Sequence, residues 1–385
     1  MTLTSKIKTL GEELGLDIIR ITHTQSFPEV EKRIMESIYK GYIPLPTLEH
    51  QKKDLLSPVL KSFSKVKKRC DPLSILKKGK SVISVALGYL IEEEEGKWIK
   101  DEPVGRIAKY NAANFYYEIV LRLNKIINLI NQETAFQYKS KSKSCYVPLV
   151  EKPLAQRAGV GWYGKNGIIL TERYGSWVVL GEIITEVELE IDSPLNKDCG
   201  DCRVCIDSCP TQAIVAPYLI DRNRCLQYIS ERLMKVPLEF RDKWGDILYG
   251  CTICQEVCPR NKGIIPKKFK PTYGYIGLKI PLLPLLNFSE EQFRKYFAHN
   301  QIAMRSREVI KRNAVIALGN LGNPSSIIPL IKVLEEEENP LVRSHAAWAL
   351  GKIGGKKSRT ALEKALKNEF NQEVKVEIIN ALKMF

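Results

Sequence analysis

The sequence predicts an α+β multidomain protein with three parts: a mixed α/β domain, a short cysteine-rich segment, and a C-terminal stack of HEAT-like helical pairs. Three observations predict it. Strand-sized and helix-sized apolar patterns alternate over residues 1–195. Eight of the ten cysteines crowd between Cys199 and Cys258. From about residue 288 onward one helical pattern repeats at a fixed interval. The expected boundaries are therefore 1–195, 196–263 and 264–385.

In the first part, Lys80-Ser-Val-Ile-Ser-Val-Ala-Leu-Gly reads as a buried strand ended by Gly88. Residues 114–131 carry apolar side chains at helical spacing, with Tyr117, Val120, Leu121, Leu123, Ile126, Ile127 and Ile130 on one face. Glu92 to Glu95 reads as a solvated loop. Residues 167–171 and 176–191 read as a strand pair turned at Tyr174-Gly175. Between them and the helix lies Ala158-Gly-Val-Gly-Trp-Tyr-Gly-Lys-Asn-Gly. Its four glycines permit positive φ and close approach of backbone to a ligand, or simply a tight turn. It is neither a dinucleotide fingerprint nor a phosphate loop.

In the second part, Cys199-Gly-Asp-Cys202-Arg-Val-Cys205-Ile-Asp-Ser-Cys209-Pro210 is the spacing of bacterial-type ferredoxins. Three thiolates at intervals of three residues wrap one cubane. The fourth, ahead of proline, is carried to the neighbouring cluster. A zinc site needs four converging sulfurs and does not call for this spacing. The second run, Cys251-Thr-Ile-Cys254-Gln-Glu-Val-Cys258-Pro259, lacks a first cysteine, and Cys225 is the one unused between the runs. Crosswise ligation assigns Cys199, Cys202, Cys205 and Cys258 to one 4Fe–4S cluster, and Cys209, Cys225, Cys251 and Cys254 to the other. Cys70 and Cys145 remain as free thiols. The four histidines, His23, His50, His299 and His345, form no ligand pair.

In the third part, Pro266, Pro271, Pro281 and Pro284 bar long helices from the linker. Leu318, Leu350 and Leu382 then mark a period of 32 residues, with Leu330 and Leu362 in phase between them. Such stacks present surfaces to macromolecules.

The formal net charge of +15 suits a polyanionic partner, as it also suits a Lys-rich proteome. The apolar runs are too short to span a bilayer, so no membrane association is expected. Met1-Thr-Leu-Thr-Ser-Lys-Ile-Lys carries no export signal, and a cytoplasmic monomer is expected.

These stretches together resemble epoxyqueuosine reductases, the cobalamin-dependent iron–sulfur enzymes of queuosine synthesis in tRNA. The resemblance rests on Lys68-Arg-Cys-Asp-Pro with Lys80-Ser-Val-Ile, on Arg157-Ala-Gly-Val-Gly-Trp-Tyr-Gly-Lys-Asn, and on Tyr174-Gly-Ser-Trp-Val-Val-Leu-Gly-Glu-Ile-Ile-Thr. It extends to both cysteine runs, Tyr249-Gly-Cys-Thr-Ile-Cys-Gln, Arg312-Asn-Ala-Val-Ile-Ala-Leu-Gly-Asn and the repeats. It implies a cobalamin in the N-terminal domain, in a fold distantly like that of reductive dehalogenases. Arg69, Cys145, Lys165, Asn166, Ile169 and Leu180 stand at positions implied to contact it. Electrons would come from an external donor such as a ferredoxin or flavodoxin, and the repeats would hold the tRNA anticodon stem-loop. The chain departs from the pattern at three places. Cys145 stands where the family has its acid, an aspartate. Phe115-Tyr-Tyr replaces Asp-Tyr-His, and Thr252 replaces an aspartate between the cysteines. Those changes admit a related corrinoid reductase with another substrate, or an electron carrier without catalysis, as alternatives.

Overall fold

The computed structural model describes residues 1–44, 64–92, 102–143, 149–268 and 271–385. Most of the Glu92–Glu95 loop, Cys145 and His50 lie outside the described residues. The chain forms two compact units. The first comprises Met1–Glu92, Phe115–Asn223 and Ile253–Thr272; the second comprises Glu93–Asn114, Arg224–Thr252 and Tyr273–Phe385. The cysteine-rich segment contributes to both. No described helix is long and apolar enough to cross a membrane.

The first unit is built on a four-stranded antiparallel sheet. Its order is Ile18–His23, Ser81–Gly88, Val178–Thr185, Ser140–Lys143. The two central strands are buried at every residue, because helices cover both faces. The row Ile19, Val85, Gly181 faces the helices Leu3–Glu13 and Phe115–Glu133. The opposite row, with Ala86 and Leu180, packs on Ala155 and Ala158 of helix Glu151–Ala158. Gly181 lets the long helix come close: a Cβ there would sit 3.0 Å from Leu123 and 3.1 Å from Ile119.

Two expectations need correction here. The 167–171 and 176–191 strands do not pair with each other. Ile169–Leu170 pairs with Trp162–Tyr163, and Val178–Thr185 runs through the centre of the main sheet. Only a single bridge joins Thr171 to Gly175. Gly175 has a φ of +53°, and a Cβ there would lie 2.1 Å from Asn261 Oδ1. The turn is thus shaped by a distant asparagine rather than by a hairpin. The strand also stops at Thr185, whose hydroxyl accepts the Val187 N–H and turns the chain. In the long helix the buried face includes Phe115, Glu118 and Ile119, while Tyr117 is exposed. Glu118 is buried because its two oxygens accept from Arg122 (2.7 Å) and from the Thr272 N–H (2.7 Å).

The second unit joins a three-stranded sheet, in the order Ile247–Tyr249, Val104–Ile107, Lys279–Pro281, to the helical repeats through one core. The expected period holds. Helices Arg307–Leu321, Pro340–Ile353 and Gln372–Leu382 are the first members of successive pairs, and Ile327–Glu336 and Lys356–Asn368 are the second. Leu318, Leu350, Leu330 and Leu362 are fully buried. Each repeat carries the same ion pair: Lys311 with Glu337 (2.5 Å), and Arg343 with Glu369 (2.8 Å). Asn339 and Asn371 cap the helices that follow those glutamates.

Neighbouring first helices touch at glycine on alanine, Gly319 against Ala349 and Gly351 against Ala381. A Cβ at Gly351 would lie 2.9 Å from the Ala381 carbonyl oxygen, inside van der Waals contact. Gly351→Val is expected to cost about 1–3 kcal/mol by overpacking, read as a lower urea midpoint at unchanged m-value. Beside it, His345 is fully buried and neutral: Nδ1 donates to the Leu341 carbonyl and Nε2 accepts the Val236 N–H. Burial, with Arg241 and Arg312 adding to it, holds its pKa well below the usual 6.5. The unfolded chain therefore takes up a proton below pH 6.5 that the folded chain refuses, and stability falls as pH drops from there. Denaturant titrations at pH 7 and pH 5 should show this loss, and His345→Gln should reduce it.

The first repeat helix also anchors the segments around two cysteines. Arg312 donates to the carbonyls of Ile229 and Met234, and Asn313 to those of Ser230 and Leu248. Ser230 Oγ accepts the Gly250 N–H. Thus the helix after Cys225 and the strand before Cys251 are tied to each other and to the repeat.

Candidate redox centre

The two cysteine runs form two short helical turns, Val204–Asp207 and Ile253–Glu256, each too brief to hold its shape unaided. Side-chain hydrogen bonds supply what is missing. Gln255, the residue after Cys254, is buried and its amide donates to Tyr89 Oη (2.8 Å), to the Ser176 carbonyl (3.0 Å) and to Ser176 Oγ (3.0 Å). Asn261, three residues after Cys258, donates to Ser176 Oγ and to the Gln255 carbonyl, and accepts the Ser176 N–H. The second run is thereby clamped to the entry of the central strand. Burial raises the Tyr89 phenol well above its ordinary value, so it stays a neutral donor and acceptor here. The sequence reading missed Tyr89, Ser176, Gln255 and Asn261 as a group. Its one visible trace is a pair of amide residues flanking the Cys258-Pro259 turn. Asn261→Ala should leave a buried Gln255–Ser176 network short of partners, at a cost of about 1–3 kcal/mol. It should also lower iron retention on dialysis.

Cys199, Cys202, Cys205 and Cys258 line one small cavity, together with Gly164, Lys165, Asn166, Leu170 and Pro259. A sulfur from the second run therefore joins three from the first. Among the described residues no three His, Cys, Asp or Glu side chains converge as ligands of a single ion would. Four thiols spread around a cavity suit a cubane, whose ligands bind its corners, better than zinc, whose sulfurs lie about 2.3 Å from one centre. All nine described cysteines are free of disulfides. Burial, with the neighbouring cysteines adding to it, raises the pKa of Cys205 and Cys258. Of the other four cysteines, Cys209 and Cys254 belong to the first unit and Cys225 and Cys251 to the second. Cys209 Sγ accepts the Ala213 N–H at 3.2 Å. Cys225 stands at the start of helix Leu226–Ser230.

The glycine-rich stretch closes the cavity. Lys165 Nζ donates to the Gly200 carbonyl, between the first two cysteines. Asn166 Nδ2 donates to the Cys254 carbonyl at 3.4 Å. The Lys165 carbonyl accepts the Tyr218 N–H. Ile169 and Leu180 lie together in the adjoining apolar cluster with Ala86, Val160 and Val178. Arg69 is exposed and joins neither group; its carbonyl accepts the Val150 N–H.

Near Ile169 and Leu180 three buried polar side chains carry atoms without a hydrogen-bond partner: Trp162 Nε1, Ser84 Oγ and both oxygens of Glu182. Ser84 and Glu182 face each other across adjacent strands, two residues along from the Ala86–Leu180 pair and on the same face. Burial, with Glu151 nearby, raises the Glu182 pKa well above 4.5. An apolar wall beside orphaned donors and acceptors fits a broad, flat ligand rimmed by amides, as a corrinoid is.

Residues 198–261 match the family model for a 4Fe–4S double cluster binding domain, and residues 300–383 match that for HEAT repeats. The epoxyqueuosine reductase of Lactococcus garvieae is 30% identical over 337 residues, covering 87% of this chain and 92% of the relative. That of Escherichia coli is 31% identical over 351 residues, covering 89% and 87%. A solved epoxyqueuosine reductase holding an epoxyqueuosine-modified tRNA-Tyr stem-loop superposes with a TM-score of 0.87 at 30% identity, over 99% of this chain and 98% of that one. The Bacillus subtilis structure, with the loop of its catalytic aspartate swung out of the active site, gives 0.86 at 29%, over the full length of both chains. With the paired cysteine runs, the closing glycine-rich loop and the repeats matched along nearly the whole length, the chain belongs to the epoxyqueuosine reductase family.

Proposed function

We propose that this chain reduces epoxyqueuosine to queuosine in tRNA. The observation that carries the reading is the cavity where Cys258 meets Cys199, Cys202 and Cys205 under the Gly-Lys-Asn loop, in a chain of this family. Removing the epoxide oxygen as water, with an alkene left behind, takes two electrons and two protons. Two 4Fe–4S clusters hold one electron each. In the crosswise scheme Cys199, Cys202, Cys205 and Cys258 hold one cluster, and Cys209, Cys225, Cys251 and Cys254 hold the other. Cobalamin, when bound, would supply a strongly reducing, nucleophilic centre for this chemistry. Ile169, Leu180 and Asn166 would help to hold that group, with Arg69 a further proposed contact from outside the cluster.

Cys145 supplies one of the two protons, and solvent supplies the other. A thiol with a pKa of about 8.5 is mostly protonated at neutral pH, so it can serve where the family has a carboxylic acid. The chain's own residues otherwise position and exclude water. The Gln255–Ser176–Asn261 clamp fixes the second run, and Lys165 and Asn166 hold the loop over the cluster.

The repeats contact the anticodon stem-loop. Helix Lys356–Asn368 supports this with Lys356, Lys357, Arg359, Lys364 and Lys367 exposed. Binding led by these charges weakens steeply with salt. The protein works as a cytoplasmic monomer fed by a ferredoxin or flavodoxin, with functional parts at 1–195, 196–263 and 264–385.

Complementation tests the function. Expressed in a strain lacking its own reductase, the gene should restore queuosine in tRNA. Persistent epoxyqueuosine despite soluble, cluster-loaded protein would refute the substrate and favour a related corrinoid reduction, for which Cys145, Phe115 and Thr252 are the observations.

A further inference from the structure

Lys165 is among the residues the resemblance implies as corrin contacts, and its ammonium has a partner of its own. It lines the same cavity as Cys199, Cys202, Cys205 and Cys258, and its Nζ donates to the Gly200 carbonyl within the Cys199–Cys202 loop. Lys197, by contrast, is paired with Glu172. Among the described residues Lys165 has no carboxylate partner. A backbone carbonyl fixes its position without cancelling its charge.

A cubane with four thiolates gains one negative charge when reduced. An uncompensated cation at the wall of its cavity stabilises that added charge more than the oxidised state. We propose that Lys165 sets the reduction potential of the cluster held by Cys199, Cys202, Cys205 and Cys258, raising it so that an electron from a low-potential donor settles there. The glycine-rich loop is then more than a lid. It delivers one charge to one cluster, while Asn166, the next residue, reaches the Cys254 carbonyl of the other run.

The inference rests on the cluster assignment in the proposed function, and its test needs neither tRNA nor turnover. Wild type, Lys165→Gln and Lys165→Arg would be purified anaerobically, assayed for iron, and titrated with dithionite while the two cluster signals are followed by EPR. The expected result is eight irons per chain in all three. One of the two midpoint potentials moves down in Lys165→Gln and stays near wild type in Lys165→Arg. Potentials in Lys165→Gln equal to wild type would overturn the proposal. So would equal shifts in Gln and Arg variants, which would make contact geometry the cause. Loss of four irons in Lys165→Gln alone would reduce Lys165 to a structural clasp. Fewer than eight irons in the wild type would instead count against the two-cluster reading itself.

Discussion

Cys258→Ala is expected to drop iron from eight atoms per chain to four and to abolish epoxyqueuosine reduction. Cys258 belongs to the second run in sequence, but it lines the cavity of the first three cysteines. If ligation is crosswise, Cys202→Ala and Cys258→Ala disable the same cluster, and the double variant loses no more iron than either single one. Cys254→Ala removes the other cluster, and pairing it with Cys258→Ala leaves the chain without iron. Ligation within each run predicts the opposite grouping. Iron analysis and EPR of these variants decide between them, since residues that act as one unit are non-additive. Loss of activity is expected in every case, because removing either cluster breaks the relay that carries electrons from the donor to the reaction centre.

Cys145→Ala is expected to slow queuosine formation about 10²–10⁴-fold, the usual contribution of a positioned general acid. A proton donor works only while protonated. Wild-type activity should therefore fall as pH rises through the thiol pKa, about 8.5 before any shift by the site. In Cys145→Asp that limb should move to lower pH, with activity retained where the carboxyl stays protonated. Single-turnover rates on epoxyqueuosine-containing tRNA between pH 6 and 9.5 would show both limbs. Full activity in Cys145→Ser with an unchanged pH profile would remove the thiol from the mechanism.

The parts legible from sequence were those written in local spacing. The cysteine intervals put three sulfurs of the first run together, and Cys258 lines the same cavity with them. The 32-residue period dictates which leucines are buried, and Leu318, Leu330, Leu350 and Leu362 are. What escaped depends on partners far away in the chain. Strand 178–185 carries an alternation that invites pairing with 167–171, yet its register is set by Ser81–Gly88 and Ser140–Lys143. Gly175 turns as it does because Asn261, 86 residues later, fills the space a Cβ would need. The Gln255–Ser176–Asn261 clamp is likewise invisible, because each of its amides reads locally as an ordinary polar residue. Lys165 stood out in sequence for its glycines, and its geometry directs it to a cysteine loop 35 residues on.

One measurement bears on the whole account. Anaerobically purified protein, loaded with iron and cobalamin, would be given reductant and tRNA carrying epoxyqueuosine, and the digested nucleosides quantified by mass spectrometry. The expected result is conversion to queuosine that requires cobalamin and is lost in Cys258→Ala. Unchanged epoxyqueuosine with both clusters and cobalamin demonstrably bound would contradict it.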